Sequence, residues 1–110
     1  MSSLHDFKSL ALSLDGAKEQ IHHDKIAFTY RSKIFATLNE KESRSTLKFL
    51  PEEQGMLCKV HPTAIFPVPN KWGTYGWTHV LYQEIKPEIL LELLKTAYLS
   101  VRPNYSFPEE

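Results

Sequence analysis

Residues 25–38, KIAFTYRSKIFATL, constrain the fold more than any other stretch. Ile26, Phe28 and Tyr30 alternate with Ala27 and Thr29, a two-residue period that places one apolar row on one side of a strand. A second apolar run, Ile34 to Leu38, follows after only Arg31-Ser32 and Lys33. So short a connection permits antiparallel pairing alone, which makes this a β-hairpin. Arg31-Ser32 is not the Asn-Gly pair that best suits a two-residue turn, so a loop a residue or two longer is also compatible.

The flanking segments extend the pattern. Ser2 or Ser3 can cap a first helix, with Asp6 in a capping-box position after Ser3. Phe7, Leu10, Ala11 and Leu14 form its apolar stripe, and Gly16 is a natural stop. AKEQIHHD reads as a polar connector to the hairpin. After the charged turn NEKESR, STLKFL predicts a third strand, with Leu47 and Phe49 on one face and Thr46 and Lys48 on the other. Pro51 opens a short second helix, with Glu52 and Glu53 in its first turn, ending near Val60 ahead of His61-Pro62. In AIFPVP, residues 64–69, Pro67 and Pro69 remove two backbone donors and confine the segment to a sheet edge.

NKWGTYG, residues 70–76, reads as a loop, and WTHVLY as an alternating strand whose Trp77 indole is expected to plug a corner of the domain. Lys86-Pro87-Glu88 starts a last helix with the clearest stripe in the chain: Ile89, Leu90, Leu93, Leu94, Ala97, Tyr98 and Val101. Arg102-Pro103 ends it, and residues 104–110 read as a frayed tail. The expected fold is therefore one α+β domain spanning residues 1–110. It has a single antiparallel sheet packed on one side by helices, in the order helix, three strands, helix, two strands, helix.

Several kinds of chemistry are poorly served. Cys58 is the single cysteine, so the chain holds no internal disulfide and no multi-cysteine metal site. The adjacent His22, His23 and Asp24 point to opposite sides of an extended chain, and no histidine pair has helical spacing, so no metal is expected. The glycines at 16, 55, 73 and 76 match neither phosphate-loop nor dinucleotide spacing, and no cofactor is expected. A nucleophilic pair of Cys58 and His61 is the weakest reading, because the C-terminal end of a helix opposes a thiolate. The carboxylates are scattered over turns and solvent faces, so the chain is read as non-enzymatic. No apolar run approaches the roughly 20 residues of a membrane span, and the N-terminus reads as a capped helix rather than a signal peptide. A soluble, cytoplasmic monomer is expected.

Thirteen basic side chains balance thirteen acidic ones, so any nucleic acid must be held by a local patch. Arg31 and Lys33 sit at the first hairpin tip with Lys25 at its base, Arg44 and Lys48 on the next hairpin, and Lys71 beside Trp72 and Tyr75. An exposed aromatic next to a cation suits base stacking and phosphate contact, and equally anchors a protein partner.

LALSLDGAKEQIHHD, IAFTYRSKIFATL, LKFLPEEQGMLCKVHP, WGTYGWTHV and LLELLKTAYLSVRP, in that order, resemble the MmcQ/YjbR family of small bacterial proteins. Trp72, Gly73, Gly76, Trp77 and Thr78 match its most recognisable motif, which is expected to be partly structural. The resemblance implies a CyaY-like, double-wing fold and a DNA-binding label that rests on analogy of fold. It supplies no catalytic residues. Arg31-Ser32 departs from the family's small or glycine-containing turn, and Asp6 and Asp15 are too sparse for the acidic ridge with which frataxins bind iron. The leading expectation is a DNA-binding protein: Arg31, Lys33 and Lys71 meet phosphates and Trp72 or Tyr75 stacks. The alternative is a protein- or small-ligand-binding module built on Trp72, Tyr75 and residues 64–69.

Overall fold

The computed structural model describes residues 1–102. Helix α1 (Leu4–Leu12) is followed by strands β1 (Ala17–His22), β2 (Lys25–Tyr30), β3 (Lys33–Asn39) and β4 (Arg44–Lys48). Helix α2 (Pro51–Val60), strand β5 (Ile65–Pro67), helix α3 (Lys71–Thr74), strand β6 (Trp77–Val80) and helix α4 (Pro87–Ser100) complete it, with a single 3₁₀ turn at Tyr82–Glu84. The six strands form one sheet in the order β1-β2-β3-β4-β6-β5, every neighbouring pair antiparallel.

The caps follow the sequence. The Ser3 hydroxyl accepts from the Asp6 N–H at 3.0 Å, and the Asp6 carboxylate accepts from the Ser3 N–H at 2.9 Å. That backbone bond from Ser3 holds the Asp6 carboxyl below its ordinary value. Pro51 and Pro87 occupy the starts of α2 and α4, where no amide donor is needed.

One face of the sheet is the core. Phe28, Ala36, Leu38, Leu47 and Val80 project from it and are fully buried with Phe7 and Ala11 of α1 and Leu90, Leu94 and Ala97 of α4. A bulge between β2 and β3 pairs Phe28 with Ala36 and Thr29 with Ile34, so Phe35 is the extra residue. Phe35 and Ala36 are consequently both buried, and Phe35 meets Tyr98 of α4 edge-on at 5.7 Å. Tyr98 also bonds through its hydroxyl to the Asp15 carbonyl, tying α4 to the end of α1.

The strand expected over WTHVLY stops at Val80, Tyr82 starting the 3₁₀ turn, and three further segments differ from the sequence expectation. AKEQIHHD is not a connector: residues 17–22 form the edge strand β1, paired along its whole length with β2. Its residues are polar because the helices do not cover them; even Ile21 is 73% exposed. Backbone bonds, not burial, make it a strand, and periodicity cannot register that. NKWGTYG is not a plain loop: α3 forms one helical turn, whose Asn70 cap accepts from the Trp72 N–H at 2.9 Å. The β2–β3 connection is the shorter alternative, with Arg31 (φ 50°) and Ser32 (φ 71°) both in the left-handed region. That geometry matches strand twist and is adopted without the Asn-Gly pair that favours it. The expected tail, residues 104–110, lies outside the described residues.

Candidate functional site: a hollow on the open sheet face

Strand alternation sends a second set of side chains to the face without helices. From β4 these are Arg44, Thr46 and Lys48, and from β6 Trp77 and His79, since Thr78 and Val80 are buried on the core side. Register places Thr46 opposite His79 and Lys48 opposite Trp77, with Thr37 of β3 beside Thr46. Phe66 of β5 pairs with His79 on the far side, and their rings meet at 5.5 Å.

These rows floor a hollow of about 310 Å³. Thr37, Thr46 and His79 form its base, and Ile34 closes one side. Trp77, Trp72 and Val68 form the opposite wall, and Lys25 of β2 reaches it from the other end of the sheet. Trp77, expected to plug a corner of the domain, lies half-buried against the open face of the sheet, outside the helix-covered core. The Lys48 ammonium lies 5.9 Å from its ring centre.

Trp72 is 53% exposed and Tyr75 58%, their rings edge-on at 6.1 Å, with the Lys71 ammonium 5.9 Å from the Trp72 ring centre. What holds these aromatics out is a tightly built backbone. Gly73 packs so closely on the chain that a Cβ there would lie 2.0 Å from the Val68 carbonyl oxygen. Gly76, at φ +106°, would place one 1.8 Å from the Phe49 carbonyl oxygen. The Phe49 N–H donates to the Gly76 carbonyl at 3.0 Å, and the buried Thr78 hydroxyl donates to the same carbonyl at 2.9 Å. Sequence reasoning missed the residue that completes this frame, Gln54 of α2. Its side-chain amide donates to the Gly73 carbonyl at 2.9 Å, the Thr78 hydroxyl at 3.0 Å and the Trp77 carbonyl at 3.2 Å. Only its place on an otherwise charged first turn distinguished it.

The electrostatics of the hollow are positive. Burial pushes the His79 imidazole below its ordinary value of 6.5, and the Arg44 and Lys25 cations push it the same way. Glu42 and a backbone bond at Ser45 oppose them. The Thr46 hydroxyl fixes the ring through Nδ1 at 3.0 Å. Arg44 is paired with Glu42 at 2.8 Å. Among the described residues, Lys25, Lys48 and Lys71 have no carboxylate within ion-pair distance.

The structure thus gathers Arg44, Lys48, Lys71, Trp72 and Trp77, adds Lys25, Thr37 and His79, and sets Tyr75 just outside. It does not bring in Arg31 and Lys33. Lys33 pairs with Tyr30, whose ring meets Tyr98 on the helical side at 5.4 Å, and Arg31 lies 5.5 Å from the centre of that same Tyr30 ring. Both belong to the hairpin tip, not to the open face. Cys58 is half-buried on α2, with burial pushing its thiol up. Among the described residues no three His, Cys, Asp or Glu side chains gather as metal ligands would, and no helix is long and apolar enough to cross a membrane.

An antiparallel sheet, one face closed by helices and the other opening on a cation-rimmed aromatic hollow, defines the class of domain. The chain belongs to the YjbR family, whose model matches residues 12–100. It is similar to Deinococcus radiodurans protein DR2400, whose crystal structure is described by the domain DUF419. The TM-score is 0.76 at 29% identity, over 94% of this chain and 81% of that one. No curated protein matches it.

Proposed function

We propose that this protein binds nucleic acid, without catalysing a reaction, through the open face of its sheet. The observation that carries the reading is that Lys25 lines the hollow while Lys48 and Lys71 stand against its two tryptophans, none of the three ion-paired among the described residues, on a chain whose overall charge is zero. Lys25, Lys48 and Lys71 meet phosphates, and Trp72 supplies a stacking surface. The family resemblance points the same way. Arg31 and Lys33, on the hairpin tip, add at most a separate contact. A reducing cytoplasm suits a domain with one half-buried thiol.

Fluorescence anisotropy of labelled duplex and single-stranded DNA, at low and then physiological salt, tests this. Binding that weakens steeply as salt rises is expected. No binding to either at low salt removes the reading.

A specific observation favours a second one. Phe66, Trp72 and Tyr75 are exposed apolar side chains near one edge of the sheet, flanked by Pro67 and Pro69. Such a cluster also anchors a protein partner. Salt-insensitive binding of a protein that buries Trp72 would select it.

A further inference from the structure

We infer that the hollow receives one unstacked nucleobase, so that the protein takes single strands in preference to duplex; this rests on the nucleic-acid reading above. A surface that met only phosphates would need charge and nothing concave. Here the cations stand around a recess whose walls are apolar and aromatic. The half-exposed Trp77 and exposed Trp72 flank it, Val68 and Ile34 close it, and the floor carries hydroxyls and an imidazole. At about 310 Å³ it lies at the small end of ligand sites, a size that matches one base and its sugar.

A duplex shows its bases only as edges in its grooves, and offers a ring face to an indole only by extruding a nucleotide. A single strand offers ring faces at no pairing cost, and stacking tolerates any base. The charge arrangement fits a strand crossing the recess. Lys71 and Lys48 stand at the tryptophan side and Lys25 at the opposite end, so phosphates on either side of a seated base each find a cation. The Thr37 hydroxyl has no hydrogen-bond partner among the described residues and faces the seat, and Lys25 has donors free for a base carbonyl.

The test compares a labelled twelve-residue oligothymidylate, a strand of equal length whose nucleotides are abasic, and the oligothymidylate annealed to its complement. Anisotropy is read at one low salt concentration, alongside tryptophan fluorescence. The oligothymidylate is expected to bind roughly tenfold more tightly than the abasic strand and to quench tryptophan, and the duplex to bind more weakly than the single strand. Trp72→Ala, at an exposed position, and Thr37→Leu, which fills the floor, should each lower affinity for oligothymidylate and leave the abasic strand unaffected; circular dichroism establishes that both are folded. Equal binding of base-bearing and abasic strands overturns the base seat while leaving nucleic-acid binding in place. Failure of every strand to bind overturns both. Free thymidine 5′-monophosphate binding as tightly as the strand would assign the hollow to a small nucleotide instead.

Discussion

At Gly76 a side chain has nowhere to go. A methyl group would sit 1.8 Å from the Phe49 carbonyl oxygen, at a backbone φ of +106° that L-residues rarely adopt. Gly76→Ala should lower stability by about 3 kcal/mol in urea unfolding, combining backbone strain with displacement of β4 from β6. Gly55 is the internal control. It lies within α2 with open space for 4 Å around the place a Cβ would take, so Gly55→Ala should raise stability by about 0.5–1 kcal/mol. His79 gives a pH signature. Its folded value is depressed below 6.5 by burial and then by Arg44 and Lys25, with Glu42 opposing and Thr46 and Ser45 in contact. The unfolded chain therefore binds the proton first as pH falls. The stability associated with His79 is intact above about 6.5 and is lost as pH drops through that value and on through the lower folded one. Unfolding midpoints across this range, for wild type and His79→Gln, would reveal the difference, and a flat difference would remove His79 as its source.

At the scale of elements, legibility followed burial. The hairpin of β2 and β3, the β4 alternation and the stripe of α4 could be read from periodic apolar rows, whereas α2, which has no buried residue, could be read from Pro51 and the carboxylates of its first turn. β1 could not, since an uncovered edge strand carries no such row. The one-turn α3 could not either, because four residues contain no period and its form depends on Asn70 and on contacts with Val68 and Gln54. Gln54 is the strut between α2 and this corner. Gln54→Ala should cost about 1–3 kcal/mol, since it deprives the Gly73 and Trp77 carbonyls of a donor, and should broaden the NMR signals of residues 71–77. Unaltered signals there would mean that the corner stands without α2. The β2–β3 turn carries the opposite prospect. Ser32 adopts φ 71° without being glycine, so Ser32→Gly should stabilise by about 0.5–1 kcal/mol in thermal unfolding.

For the whole molecule, thirteen cations balance thirteen anions, so the charge of the hollow is a matter of local placement, with Lys25 the charged residue in its lining. Lys8 and Lys95 are paired with Glu40 and Glu92, away from the hollow. Lys25, Lys48 and Lys71 have no such partner among the described residues. Lys48→Ala and Lys71→Ala should each lower the slope of log affinity against log salt by about one, and Lys95→Ala should not change it. Equal effects from all three would mean diffuse attraction rather than a site. The amino-acid sequence by itself determined the α+β class, most elements and their pairing sense, because periodicity, caps and short connections act over a few residues. It also marked Trp72, Lys71 and Lys48 as candidates. Only the tertiary structure decided that Trp77 faces outward and that Gln54 locks the corner. It likewise joined Lys25, Thr37 and His79 to the tryptophans and kept Arg31 and Lys33 apart from them. The physical reason is that a sheet orders its strands by pairing, not by position in the chain. β6 inserts between β4 and β5, so that Thr46 meets His79 and Lys48 meets Trp77 across β4 and β6 although a whole helix and a strand separate them in the chain.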